Sequence, residues 1–153
     1  MRHWRNEASG LAMNPASRAE NEAANQSAGR GEVILVVEDN PEVKLVAVAL
    51  LEQLNYRTVA VDNAKSALNL LATGMPIDLV FTDVMLPGDI DGVALAQAIS
   101  NKRPCVPVLL TSGYAKALAG RHGLPILRKP YQLSALAEAI RSTLDPRPAE
   151  SEQ

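Results

Sequence analysis

Residues 33–41 read Val33-Ile34-Leu35-Val36-Val37-Glu38-Asp39-Asn40-Pro41, and their character changes twice within nine positions. The first five are a continuous apolar run of strand length, dominated by β-branched side chains. Such a run suits a strand covered on both faces, as in a parallel sheet, rather than one with a wet side. Two acids follow, and then Asn40-Pro41, an N-cap residue ahead of proline at the first helical position. Val43, Val46, Ala47, Leu50, Leu51 and Leu54 come next at helical spacing, which predicts a helix burying one apolar stripe. Strand, acidic turn and helix in that order open an α/β unit.

The alternation continues outward. Arg57 to Val61 is rich in β-branched residues and reads as a second strand. Asp62 or Asn63 then caps a helix carrying Ala64, Ala67, Leu68 and Leu71, which stops at Gly74. Ile77 to Thr82 is the third strand and Asp91 to Lys102 the third helix. Val106 to Thr111 and Pro125 to Leu127 are the fourth and fifth strands. Leu133, Leu136, Ala137, Ile140 and Leu144 mark a last helix. Strands alternating with helices predict a doubly wound five-stranded parallel sheet with helices on both faces.

Composition bounds the rest. The chain has 153 residues, enough for one domain and its tails. Residues 1–31 carry little bulky apolar surface after Met13 and are expected to be a disordered tail, with Met13 an alternative start. Residues 32–145 form the expected domain, and 146–153, with two prolines, a C-terminal tail. A net charge of −2 gives bulk nucleic-acid binding no electrostatic support. The one cysteine, Cys105, rules out an internal disulfide and suits a reducing compartment. No apolar run nears the ~20 residues that span a bilayer, and no signal-peptide core is visible. A cytoplasmic protein without membrane contact is expected.

In open parallel α/β sheets, ligands sit beyond the carboxyl ends of the strands. The first strand delivers Glu38-Asp39 there, the third Asp83, the fourth Thr111-Ser112, and the fifth Arg128-Lys129-Pro130. Three carboxylates within ~4–5 Å repel by a few kcal/mol per pair, so they need a cation. An all-oxygen site favours Mg²⁺ over zinc, for which only His3 and His122 are on offer. Lys129 adds a positive charge beside the acids. Metal and ammonium together suit the oxygens of a transferring phosphoryl group, with Asp83 as nucleophile. Thr111, one residue before Ser112, is expected to point away by strand alternation.

This set of residues resembles the receiver domain of bacterial response regulators, over about Glu32 to Leu144. Asp83-Val-Met-Leu-Pro87-Gly88, with Asp91-Gly92 after it, is similar to the family's loop after the phosphorylated aspartate. Leu127-Arg128-Lys129-Pro130-Tyr131 is similar to its lysine turn. The resemblance implies a flavodoxin-like receiver fold, here of stand-alone type. It implies Asp83 as phosphoacceptor and a Mg²⁺ site from Glu38, Asp39, Asp83 and the Met85 backbone carbonyl. It also implies Lys129 as phosphate-binding lysine, Ser112 as switch hydroxyl, and a cis peptide before Pro130. Three departures stand out. One extra residue lies between Pro87 and Gly92. The sixteen residues Gly113 to Arg128 leave room only for a short or irregular fourth helix. Ile126 occupies a place that is often aromatic, for which Tyr114 is a substitute switch residue.

The function so implied is that of a phosphoacceptor in a two-component phosphorelay, assisting its own phosphorylation and dephosphorylation without being a turnover enzyme. A sensor histidine kinase or histidine phosphotransfer protein is the expected donor, with output through contact with a downstream protein. The alternative is a receiver-like binding module that needs no phosphorylation. A phosphohydrolase would want a second acid two residues after Asp83, where Met85 stands. Nucleotide binding lacks a glycine-rich loop after the first strand.

Overall fold

The computed structural model describes residues 28–113 and 124–145. Nine elements alternate: β1 (Val33–Val37), α1 (Pro41–Gln53), β2 (Arg57–Val61), α2 (Ala64–Ala72), β3 (Leu79–Asp83), α3 (Gly92–Lys102), β4 (Val108–Ser112), β5 (Ile126–Arg128) and α4 (Leu133–Leu144). All strand pairings are parallel, in the order β2-β1-β3-β4-β5. The chain therefore reverses its winding direction between β1 and β3, which puts a crevice at their carboxyl ends.

Alternation along each strand divides the core between two sheet faces. Leu35 and Val37 of β1, Val80 of β3 and Leu110 of β4 pack against Ala67 and Leu71 of α2 and Leu95 and Ile99 of α3. Ile34 and Val36, Leu79 and Phe81, and Leu109 face Ala47 and Leu51 of α1 and Leu136 and Ile140 of α4. These side chains are almost wholly removed from water, the Val, Leu, Ile and Phe among them each contributing roughly 1.5–3 kcal/mol relative to exposure.

Local chemistry starts α1 and α2 as the sequence predicts, while α3 begins one residue later than expected, with Asp91 as its cap rather than its first residue. Asn40 Oδ1 accepts from the backbone N–H groups of Glu42 (2.9 Å) and Val43 (3.0 Å), and Pro41 begins α1. Asn63, of the two candidates, caps α2 by accepting from Ser66 N at 2.8 Å, and Gly74 follows that helix at φ +84°. Asp91 caps α3 through Ala94 N at 2.8 Å.

Four further expectations shift. β3, β4 and β5 each run one residue later at their carboxyl ends than apolar character suggests. The cause is backbone bonding: Val84 N donates to Thr111 O and Lys129 N to Ser112 O, both at 3.0 Å. β3 also starts later, because Asp78 is spent on β1, its Oδ2 accepting from Val33 N at 2.8 Å. The apolar stripe of α1 is not buried as a whole. Ala47 and Leu51 are buried, while Val46 is 57 % exposed and Leu45 70 %. Helical spacing identified an apolar sector wider than the sheet can cover. Finally, residues 28–31 lie against the turn between α1 and β2: Gly29 N donates to Leu54 O at 2.7 Å and Gly31 N to Asn55 O at 2.9 Å. The rest of the expected N-terminal tail, the C-terminal tail from residue 146, and the expected short helix between β4 and β5 lie outside the described residues. None of the described helices is long and apolar enough to cross a membrane.

Candidate functional site

The crevice between β1 and β3 gathers the charged residues. Glu38 follows β1 directly and is 5 % exposed, while Asp83 ends β3 and is 9 % exposed. Lys129, just beyond β5, reaches across: its Nζ lies 3.0 Å from Asp83 Oδ2 and 3.8 Å from Glu38 Oε1. One ammonium thus spans two nearly buried acids. The Lys129–Pro130 peptide is cis. Backbone donors complete the frame: Met85 N donates to Asp83 Oδ1 at 3.2 Å, and Asn40 N to Glu38 Oε2 at 3.1 Å. Asp83 is held at both carboxylate oxygens, which orients it.

Burial raises the Glu38 carboxyl above its usual range, and neighbouring Asp83 adds to the rise. The Asn40 N–H and the Lys129 ammonium pull in the other direction. A carboxyl whose folded pKa lies above the unfolded value of 4.5 contributes stability that is complete below 4.5 and is lost as pH rises through the folded value. Glu38→Gln, neutral throughout, is therefore expected to melt higher than the parent at pH 7. The advantage should shrink as pH falls through that window and vanish below it. Thermal melts of both proteins from pH 4 to 8 check this, and an equal gain at every pH would contradict it.

Other site residues fall in distinct places. Asp39 is exposed at the rim, next to Glu38. The Met85 side chain is 66 % exposed, with its backbone in the turn after Asp83. Ser112 is buried at the end of β4, its carbonyl accepting from Lys129 N at 3.0 Å. Tyr114 and His122 lie outside the described residues. Thr111 does sit on the opposite sheet face from Ser112, but this does not carry it away from the site. Its strand partner is Asp83, and paired residues of parallel strands project to the same side. Both line a small cavity shared with Glu38 and Lys129.

Sequence reasoning missed Tyr131. Its ring meets Phe81 edge-on at 6.2 Å and 71°, and it lines the same cavity. Burial, and then Glu38 and Asp83, push its hydroxyl up to about 12, so it stays protonated beside the acids. An aromatic residue directly after the Lys129-Pro130 turn was the available signal. The exposed part of the α1 stripe was missed as well: Val43, Val46 and Leu50 form an apolar groove with Lys129, Pro130 and Tyr131.

The donor set can be weighed for a divalent cation. Among the described residues, no three His, Cys, Asp or Glu side chains form a ready cluster for one. Mg²⁺ does not require one, since it keeps several waters and uses one or two carboxylates. Glu38, Asp39 and Asp83 with the Met85 carbonyl offer hard oxygen donors only, which fits Mg²⁺ by ligand type.

A sequence model of the response regulator receiver domain matches residues 34–141. This chain belongs to the receiver domain family. The receiver is 33 % identical over 122 residues to a probable transcriptional regulatory protein of Picosynechococcus sp., covering 72 % of this chain but 48 % of that one. It thus spans about half the length of that relative. It is 30 % identical over 116 residues to the response regulator receiver protein CpdR of Brucella abortus, covering 72 % of this chain and 95 % of CpdR. Among solved structures, a response regulator receiver protein from Sinorhizobium medicae WSM419 superposes with a TM-score of 0.70 at 26 % identity. That match covers 77 % of this receiver and 98 % of the other. The doubly wound five-stranded parallel sheet expected from the sequence, and the flavodoxin-like receiver fold that the resemblance implied, are the ones observed.

Proposed function

We propose that this receiver accepts a phosphoryl group on Asp83 from a phosphohistidine of a histidine kinase or phosphotransfer protein. The observation that carries the reading is the Lys129 ammonium 3.0 Å from Asp83 Oδ2, with Glu38 beside both. In the transfer, a carboxylate oxygen of Asp83 bonds to phosphorus as the donor's P–N bond breaks, and the freed imidazole takes a proton. Lys129 would exchange part of its contact with Asp83 for the phosphoryl oxygens, so its charge stays in place while the acceptor becomes an ester-like anhydride. Met85 N–H and Lys129 hold the carboxylate before the reaction, which lowers the cost of orienting it. Mg²⁺, held by Glu38, Asp39, Asp83 and the Met85 carbonyl, would neutralise charge on the transferring group.

Once the phosphoryl group is attached, the Ser112 hydroxyl, buried at the end of the neighbouring strand β4, would turn toward the new charge, as the family resemblance implies. Its movement would shift the residues after Gly113 and so alter contacts with a downstream protein, a population shift between two states.

Incubation with acetyl phosphate tests the reading. With Mg²⁺, intact mass should rise by one phosphoryl group, and mapping should place it on the peptide containing Asp83. With EDTA in place of Mg²⁺ the rate should fall on the order of a hundredfold. A phosphoryl group on another residue, or a rate indifferent to EDTA, would sink the proposal.

A further inference from the structure

We infer that Thr111 and the small cavity beside Asp83 bind one ordered water molecule, and that through this water Thr111 positions the Lys129 ammonium. Thr111 is 4 % exposed, and its Oγ1 has no hydrogen-bond partner among the described residues. It ends the apolar run Val108-Leu109-Leu110 on the sheet face that also carries Leu109 and Phe81. Valine would be the ordinary choice at such a place. A buried hydroxyl without a partner costs about 1–3 kcal/mol, and the large majority of buried side-chain polar atoms avoid that cost.

The surroundings identify the missing partner. Thr111 lines a cavity of about 10 Å³ with Glu38, Asp83, Lys129, Phe81 and Tyr131. That volume lies at the lower limit for one water and admits nothing larger, and a buried water needs two to four polar partners. The Lys129 ammonium has three donors. Asp83 Oδ2 at 3.0 Å accepts one of them, while Glu38 Oε1 at 3.8 Å is an ion-pair contact beyond hydrogen-bond reach. The water would accept one of the two remaining donors and donate to Thr111 Oγ1, with its second hydrogen directed to a carboxylate. Thr111 Oγ1 then has a partner, and the ammonium gains an anchor besides Asp83 Oδ2. The hydration site stands on this geometry alone, while its effect on phosphorylation rests on the reading of Asp83 as phosphoacceptor.

The test uses the full chain with Thr111→Val, which keeps the branched shape, and Thr111→Ser, which keeps the hydroxyl. Water–protein cross-relaxation by NMR should show a long-lived water at Thr111 in the parent and in the Ser variant, and none in the Val variant. Phosphorylation by acetyl phosphate with Mg²⁺ should slow about five- to tenfold in Thr111→Val and recover in Thr111→Ser. A parent without the water signal overturns the site. A Val variant that reacts at the parent rate, or a Ser variant as slow as the Val variant, overturns the positioning role, because packing alone would then explain the residue. An Asp83 that takes no phosphoryl group at all overturns the phosphoacceptor reading and the positioning role together. The water signal then still decides the hydration site.

Discussion

Asp83→Asn should leave a folded protein that gains no phosphoryl group from acetyl phosphate. An amide oxygen is not a nucleophile toward phosphorus at neutral pH, so the rate should fall by at least about a hundredfold, to background. The substitution changes little else. The asparagine oxygen can still accept from Met85 N, as Asp83 Oδ1 does at 3.2 Å, and the side chain has the same shape. Lys129 loses its partner at 3.0 Å but keeps Glu38 within reach at 3.8 Å. Loss of reaction with an intact circular dichroism spectrum is therefore the expected result. Intact mass after incubation with Mg²⁺ measures it, and an Asn variant that still gained a phosphoryl group would place the acceptor elsewhere.

Gly92→Ala is expected to be the most damaging single-methyl change near the site. Gly92 is the first residue of α3, and its N–H donates to Val84 O at 2.8 Å. A Cβ there would lie 2.1 Å from Asp83 O and 2.8 Å from the Val84 Cα. Both are backbone atoms, held by the β3–β4 pairing and by Thr82 Oγ1, which donates to Asp83 O at 3.0 Å. Neither can step aside cheaply. The helix start and the strand end must separate, at about 1–3 kcal/mol or more, and Asp83 moves with them. Urea unfolding should show a lower midpoint with an unchanged slope, along with slower phosphorylation. Gly88 provides the contrast. It sits at φ +91° with open space where a Cβ would go, so Gly88→Ala carries only the backbone penalty of about 1 kcal/mol. If the two variants were equally stable, close approach at Gly92 would not be the constraint.

Much of this was legible beforehand, for reasons that differ from place to place. Asn40-Pro41 and Asn63 mark helix starts through contacts made within three residues, so local sequence suffices. β1, β3 and β4 were found because two-sided burial demands unbroken apolar runs, whereas the half-exposed edge strand β2 showed only in its β-branched residues. The carboxyl ends of β3, β4 and β5 were misplaced by a residue because ladder bonds such as Val84 N to Thr111 O depend on a neighbouring strand. The exposed part of α1 was misread for a related cause. Val46 and Ala47 are adjacent in sequence and both apolar, yet only Ala47 is covered by the sheet.

The order of elements, the helix caps and the strand-end positions of Glu38, Asp83 and Lys129 were set by the chain's own sequence, since each depends on near neighbours or on periodicity. Three things were decided only by tertiary packing. One ammonium came to span two acids that lie 45 residues apart in sequence. Tyr131 came to rest against Phe81 beside those acids. Thr111 was turned toward Asp83 instead of away from the site. Each of these depends on which strand lies next to which and in what register, and that is settled only when the sheet assembles.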